Sequence, residues 1–335
     1  MKRALLLIIL LLAVVAFGQE NHRRIGEIDF YGYAGFDLDK VRSALPLREG
    51  DDFSDSDFVG TLDRISAAIT KVIGKPPTDI VVVCCDDQGG QMIYIGLPGR
   101  SIRNVRFNLP PKGSVHFPAR VNDLYQQTME ASSKEVRKGA GKEDESKGYA
   151  ISSDPELRAK QLATREYATH HEQLVLRVLA SSEDAEQRIV AAHILGYARQ
   201  SRGQIAALVR AGYDTDDIVR NNAIRALGVL AQSNPRVAAR IPAEQFIVML
   251  NSGSWTDRNK AGFLLDELSR RRNPKLLSRL RSQALDSLIE MARWRSRGHA
   301  GTARILLGRI AGIEETRLQR LVDAGEVDQI INALK

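Results

Sequence analysis

"RNNAIRALG", residues 220–228, repeats in residue type the stretch "RIVAAHILG" at 188–196. In both, an Arg is followed three and four places on by two residues of the same helical face, and Leu-Gly closes the phrase. The spacing returns more loosely as Arg258, Ala261, Gly262 and Leu265, and "AGTARILLG" ends a fourth echo at Gly308 with no Arg in the first position. The phrases end at 196, 228, 266 and 308, so they step by 32, 38 and 42 residues. Periods of this size mark helical repeats, in which each unit needs its neighbours to cover its apolar face.

Inside each phrase the residue types divide the work. Paired small residues let two helices approach closely, and the Leu fills the core they share. Gly196 and Gly228 clear space where packing is tightest. Asp184 and Asp216 stand four places before Arg188 and Arg220, placed to cap a helix N-terminus and to pair with the Arg one turn on. A second apolar helix follows each of the first three phrases: "QIAALVRAGY" (204–213), "AEQFIVML" (243–250) and "LLSRLRSQALDSLIEMARW" (276–294). With "PELRAKQLATREYA" and "HEQLVLRVL" ahead of them, the spacing predicts about five helix pairs over 155–335 and no strands. This half of the chain resembles HEAT repeats of the phycobilisome-lyase-like kind. The resemblance implies an all-α, right-handed superhelical solenoid and is nearly silent on activity.

Residues 25–97 have a different rhythm. "IGEIDFYGY" alternates like a half-buried strand, and Asp37 is placed to cap a helix in "FDLDKVRSAL". "PLREGDDFS" reads as a turn, Ser54 or Asp55 as the cap of a helix to Lys71, and "DIVVVCC" and "QMIYIGL" as a hairpin around "DDQGG". The order is β-α-α-β-β, a small α+β domain. With the Gly after strand one and the "L-x-x-G-D-x-F-S" joint, it resembles a POTRA domain, a module of bacterial outer-membrane assembly, secretion and cell-division proteins. The resemblance implies a sheet edge that accepts a partner strand, here Ile80, Val81, Val82, Val83, Cys84 and Cys85. Docking of the sheet on the rest of the chain is the competing use. One copy with no β-barrel after it excludes the barrel-inserting machine and leaves an auxiliary role in outer-membrane protein assembly or secretion.

Between these parts, 98–154 reads as an irregular connector. It holds one helix in "ARVNDLYQQTMEAS" and a charged linker, "SKEVRKGAGKEDESKGYAISSD". At the start of the chain, Lys2 and Arg3 precede an apolar run from Ala4 to Phe17, with Ala16 and Gly18 as the small residues of a cleavage site. The run is shorter than the roughly twenty residues of a membrane span, so it predicts a signal peptide over 1–18 and a periplasmic or secreted protein. Cys84 and Cys85 are the only cysteines. Neighbours on a strand face opposite ways, which predicts one buried and one exposed thiol, with a vicinal disulfide or an intermolecular bridge as the alternatives.

Charge is uneven: 18 basic against 21 acidic residues over 19–154, but 28 against 20 over 155–335. A basic helical surface suits an acidic or extended protein partner. Polar positions on the second helices, Arg177, Arg210, Gln245 and Arg281, are its candidate lining. Trp255 and Trp294, before the later phrases, serve as inter-repeat core or as anchors on that surface. "HHE" at 170–172 lacks the i, i+4 pairing of a zinc motif, and no nucleophile elbow or phosphate loop is present. The expectation is a non-enzymatic protein-binding scaffold needing no metal or cofactor. Nucleic-acid binding and an enzyme acting on envelope polymers stand behind it, the first opposed by export and by the lack of stacking aromatics.

Overall fold

The computed structural model describes residues 22–54, 57–138 and 143–335, so the leader expected at 1–18 lies outside the described residues. Among these, a four-stranded sheet and a two-stranded one accompany fifteen α-helices, an α+β fold in which helix dominates.

Strands β1 (His22–Tyr31), β2 (Asp52–Ser54), β3 (Asp79–Cys84) and β4 (Gln91–Gly96) form the larger sheet in the order β2-β1-β4-β3. β1 is parallel to β4 and antiparallel to β2, while β3 pairs antiparallel with β4 from Asp79↔Gly96 to Cys84↔Gln91. Part of the "DDFS" turn is thus a strand, and the order becomes β-α-β-α-β-β. Phe53 supplies the reason: it is drawn into the core, its ring edge-on to Phe58 at 5.5 Å. Asp37 caps α1 (Leu38–Ala44) as expected, accepting the N–H groups of Asp39 and Lys40. α2 (Phe58–Ile73) starts after Asp57, later than the expected Ser54 or Asp55 cap, and buries Leu62, Ile65 and Ile69. Under these helices lies one aliphatic sheet face, with Ile28, Phe30, Ile93 and Ile95 at its centre. Tyr31, Met92 and Tyr94 point the other way and join the core of the helical part.

That part runs through α4 (Pro155–His170), α5 (Glu172–Ser181), α6 (Ala185–Leu195), α7 (Arg202–Ala211) and α8 (Asp217–Ser233). Short α9 (Pro235–Ala238) and α10 (Ala243–Phe246) lead into a 3₁₀ turn, Ile247–Asn251. α11 (Trp255–Ser269), α12 (Pro274–Ala292), α13 (Arg297–Ile310), α14 (Glu315–Asp323) and α15 (Val327–Asn332) complete it. The phrase helices α6, α8, α11 and α13 pack on one another in succession, flanked by α5, α7, the 3₁₀ turn and α12. A Cβ added at Gly228 would lie 2.3 Å from Phe263, and one at Gly308 2.1 Å from Leu318, so the phrase glycines admit the next unit's side chain.

Asp184 and Asp216 cap α6 and α8, but neither pairs with its Arg. Helical side chains slant toward the N-terminus, so each Arg folds back over the loop before its helix and meets the next unit. Arg188 clasps Asp214 through two bonds of 2.8 Å. Arg220 clasps Asp257 at 2.7 and 3.1 Å, and Arg258 reaches Glu290 at 3.2 Å. The same guanidinium groups donate to loop carbonyls at Ser182, Asp214 and Ser252. In the fourth phrase Arg304, one turn later, does this for the carbonyls of Ala292 and Trp294.

The connector is a strap. The N–H groups of Arg103, Asn108 and Gly113 donate to the carbonyls of Asn251, Tyr213 and Ser181, each at 2.8 Å, so the strap crosses three inter-helix loops in reverse chain order. α3 (Ala119–Arg137) then packs on α4 and α6, and β5 (Glu143–Asp144) pairs with β6 (Ile151–Ser152). Where a charged linker was expected, Glu143 and Glu145 both accept from Arg225.

Candidate interaction site

β3 holds Ile80, Val81, Val82, Val83 and Cys84 at one end of the sheet order, and Cys85 follows it. One side of the strand pairs with β4. Its other side bonds to no backbone group among the described residues. Ile80 and Val82 pack on the aliphatic core, Val81 and Val83 on the helical one, so the strand is clamped from both faces and open only along its edge. Asp79 pins its start, accepting from the Tyr31 hydroxyl at 3.0 Å and the Trp255 N–H at 2.9 Å. Burial pushes the Asp79 carboxyl above its ordinary pKa, and those donors oppose the shift. At the strand's far end Cys84 and Cys85 are joined as a vicinal disulfide, against the expectation of one buried and one exposed thiol. The ladder stops at Cys84, so nothing holds Cys85 on the opposite face; both are half-buried.

Trp255 and Trp294 do not lie on a binding surface. They are 7% and 1% exposed and form the junction between sheet and helices. Trp255 stacks on Tyr94 with centroids 5.0 Å apart, and the Trp294 indole N–H donates to the Phe30 carbonyl at 3.1 Å. Both rings pack against Tyr94 of the sheet, a contact that the sequence of the repeats alone does not announce. Glu290 is the hub of this junction: it accepts from the Gly32 N–H at 2.7 Å, the Ala34 N–H at 3.0 Å and the Ser101 hydroxyl at 2.7 Å, besides pairing with Arg258. Gly32, with φ +69, turns the chain so that its N–H can reach that carboxylate. The Tyr94 hydroxyl meets His299 Nδ1 at 2.7 Å, and burial, with the Lys260 charge adding, pushes the His299 ring down to about 4.

The predicted basic lining is dispersed over α5, α7, α10 and α12. Arg177, Arg210, Gln245 and Arg281 are all exposed, and Arg281 donates to the Leu334 carbonyl at 2.7 Å. Arg177 and Arg210 form no ion pair among the described residues. A denser cluster lies on the phrase helices, where no repeat signal pointed. Arg225 sits between the two hairpin carboxylates, and burial pushes half-buried Lys260 down to about 8, with Arg225 adding to the effect. His193, also beside Arg225, is pushed down to about 3, chiefly by burial. His193 and Arg225 hold the same place, five residues after their phrase Arg, and Lys260 stands two after its own, but the carboxylates that meet Arg225 lie outside the phrases, so periodicity does not reveal the cluster.

Among the open clefts of the described residues, one of about 450 Å³ lies beside Tyr167, His170 and His171, and one of about 840 Å³ beside Glu143, Arg158 and Arg270. Among the described residues no group of three or more His, Cys, Asp and Glu side chains is placed to hold a metal ion, and no helix is long and apolar enough to cross a membrane. No protein-family model matches the chain, and no curated protein matches it.

Proposed function

We propose that the chain is an exported, non-enzymatic scaffold that binds other envelope proteins, with a POTRA-like module set on a HEAT-type solenoid. One observation carries the reading: β3 ends its sheet with a row of backbone groups that nothing else in the described fold pairs. Such an edge accepts an extended segment by strand addition, backbone bonds giving affinity and side-chain fit giving selectivity. Clamping from both faces supports it, because an ordered edge loses little entropy when a strand adds to it. The exposed cations Arg177 and Arg210 fit an acidic continuation of that partner.

The test is photocrosslinking in the native envelope from Asp87, in the exposed turn beside the edge. The expected result is a discrete protein partner whose crosslinked peptide is extended, captured less well by a variant carrying Arg177, Arg210 and Arg281 as Glu. A chain found among cytosolic proteins, or no partner at the edge, would discard the reading.

A further inference from the structure

The strap has an outward side that the scaffold reading does not use. Ile102, Val105, Asn108 and Pro111 are the points held to the helices: Val105 is buried, Ile102 and Pro111 are half-buried, and Asn108, itself exposed, donates its amide to the Arg210 carbonyl at 2.9 Å. One place on from each, Arg103, Arg106, Leu109 and Lys112 are all exposed. Leu109 is 91% exposed, whereas no other exposed large apolar side chain among the described residues passes 50%. The backbone around it is held. The strap is fixed at Asn108 and Gly113 on either side of it, and Phe107 is committed to the buried Arg220 guanidinium, 4.0 Å from the ring centroid.

Cations flank that leucine. Arg103, Arg106, Lys112 and neighbouring Arg210 form no ion pair among the described residues. Beyond the Lys112 end, His116 Nδ1 lies 3.9 Å from an Asp184 carboxylate oxygen. An apolar tip standing clear of a fixed backbone, with unpaired positive charge on both sides, is the chemistry of peripheral attachment to an anionic lipid surface. The tip enters the acyl boundary while the cations stay among the head groups.

We propose that residues 103–112 are a membrane-docking strap that holds this chain against anionic lipid through Leu109 and the surrounding Arg and Lys side chains. A protein partner fits the same atoms less well. The cores of protein interfaces are depleted of Lys, and their anchors enter shaped pockets within a packed patch. Leu109 stands alone on a ridge that a fluid surface can envelop. From Gln19 onward the chain carries 46 basic and 41 acidic residues, a net charge of +5 that adds long-range attraction to an anionic surface. This inference rests neither on the β3 edge nor on export, since anionic leaflets occur on either side of a membrane.

The experiment is flotation with vesicles of phosphatidylcholine containing one part in three of phosphatidylglycerol, against vesicles of phosphatidylcholine alone. The chain from Gln19 onward is used, which keeps every described residue and removes the apolar leader that would insert by itself. Binding is expected to the anionic vesicles only and to weaken as salt rises. Leu109→Asp, and separately Arg106→Glu with Lys112→Glu, should each reduce the bound fraction at least about fivefold with melting unchanged. Should Leu109→Asp alter melting, Leu109→Asn repeats the arm. Equal binding to both vesicles, none to either, or variants that bind like the parent would overturn the proposal. So would crosslinking from position 109 to an acidic protein without vesicle binding.

Discussion

The two faces of the four-stranded sheet bury the same strands in different chemistry. Toward α1 and α2 the contacts are aliphatic, Ile28, Ile93 and Ile95 against Val41, Ile65 and Ile69. Toward the helical array they are aromatic and hydrogen-bonded: Tyr31 on Asp79, Trp294 on the Phe30 carbonyl, Tyr94 on His299, and Glu290 on the backbone that leaves β1. An aliphatic face supplies burial free energy and tolerates many arrangements, whereas polar groups that must find partners in a low dielectric admit few. The first face makes the module, and the second fixes where it sits.

Glu290→Ala should break that second face hardest. It removes the partner of Arg258, itself fully buried, and strands the N–H groups of Gly32 and Ala34. Loss of one member of a buried pair costs about 3–5 kcal/mol. Denaturant unfolding should show that loss, and hydrogen exchange should show new exposure of the Gly32 and Ala34 amides. A change of less than about 1 kcal/mol would mean that the aromatic packing alone seats the module.

Ile95→Ala sharpens the contrast from the other side. The residue is fully buried in the aliphatic face, and truncation there costs about 3 kcal/mol through lost transfer and the cavity left behind. Stability should fall while Gly32 and Ala34 keep their exchange protection, because the docking bonds are untouched. Loss of protection at those amides would merge the two faces into one cooperative core.

The first face was legible in the sequence and the second was not. Alternation in "IGEIDFYGY" and "QMIYIGL" gives the inward aliphatics directly, and Asp37, Asp184 and Asp216 cap the helices that their positions predict. Phrase spacing likewise reveals the four helices that stack. The forward reach of Arg188, Arg220 and Arg258 escaped because their acceptors, Asp214, Asp257 and Glu290, lie in the next unit at no constant offset. The strap escaped for another reason: its bonds come from backbone N–H groups, which leave no mark on residue type. Leu109 between Asn108 and Pro110 was visible as a letter, but its exposure follows only from those fixed points.

Acid should loosen the second face selectively, by the smallest of these effects. His299 is held down to about 4 by burial first and by Lys260 second, against an ordinary value of 6.5. Its folded pKa lies below its unfolded one, so the unfolded chain takes up the proton first as pH falls. The stabilisation is whole above 6.5 and is lost progressively as the pH drops toward 4. Protonation also makes both ring nitrogens donors, so Nδ1 can then no longer accept from the Tyr94 hydroxyl. With solvent screening of this half-buried ring, the share due to His299 is about 1 kcal/mol. His299→Asn keeps an acceptor for Tyr94 and cannot titrate, so its denaturation midpoint should fall less steeply than the parent's over that window. Parallel curves for the two proteins would place the acid sensitivity away from His299, at groups such as His193, which is depressed to about 3 with the same sign but lies outside the sheet junction.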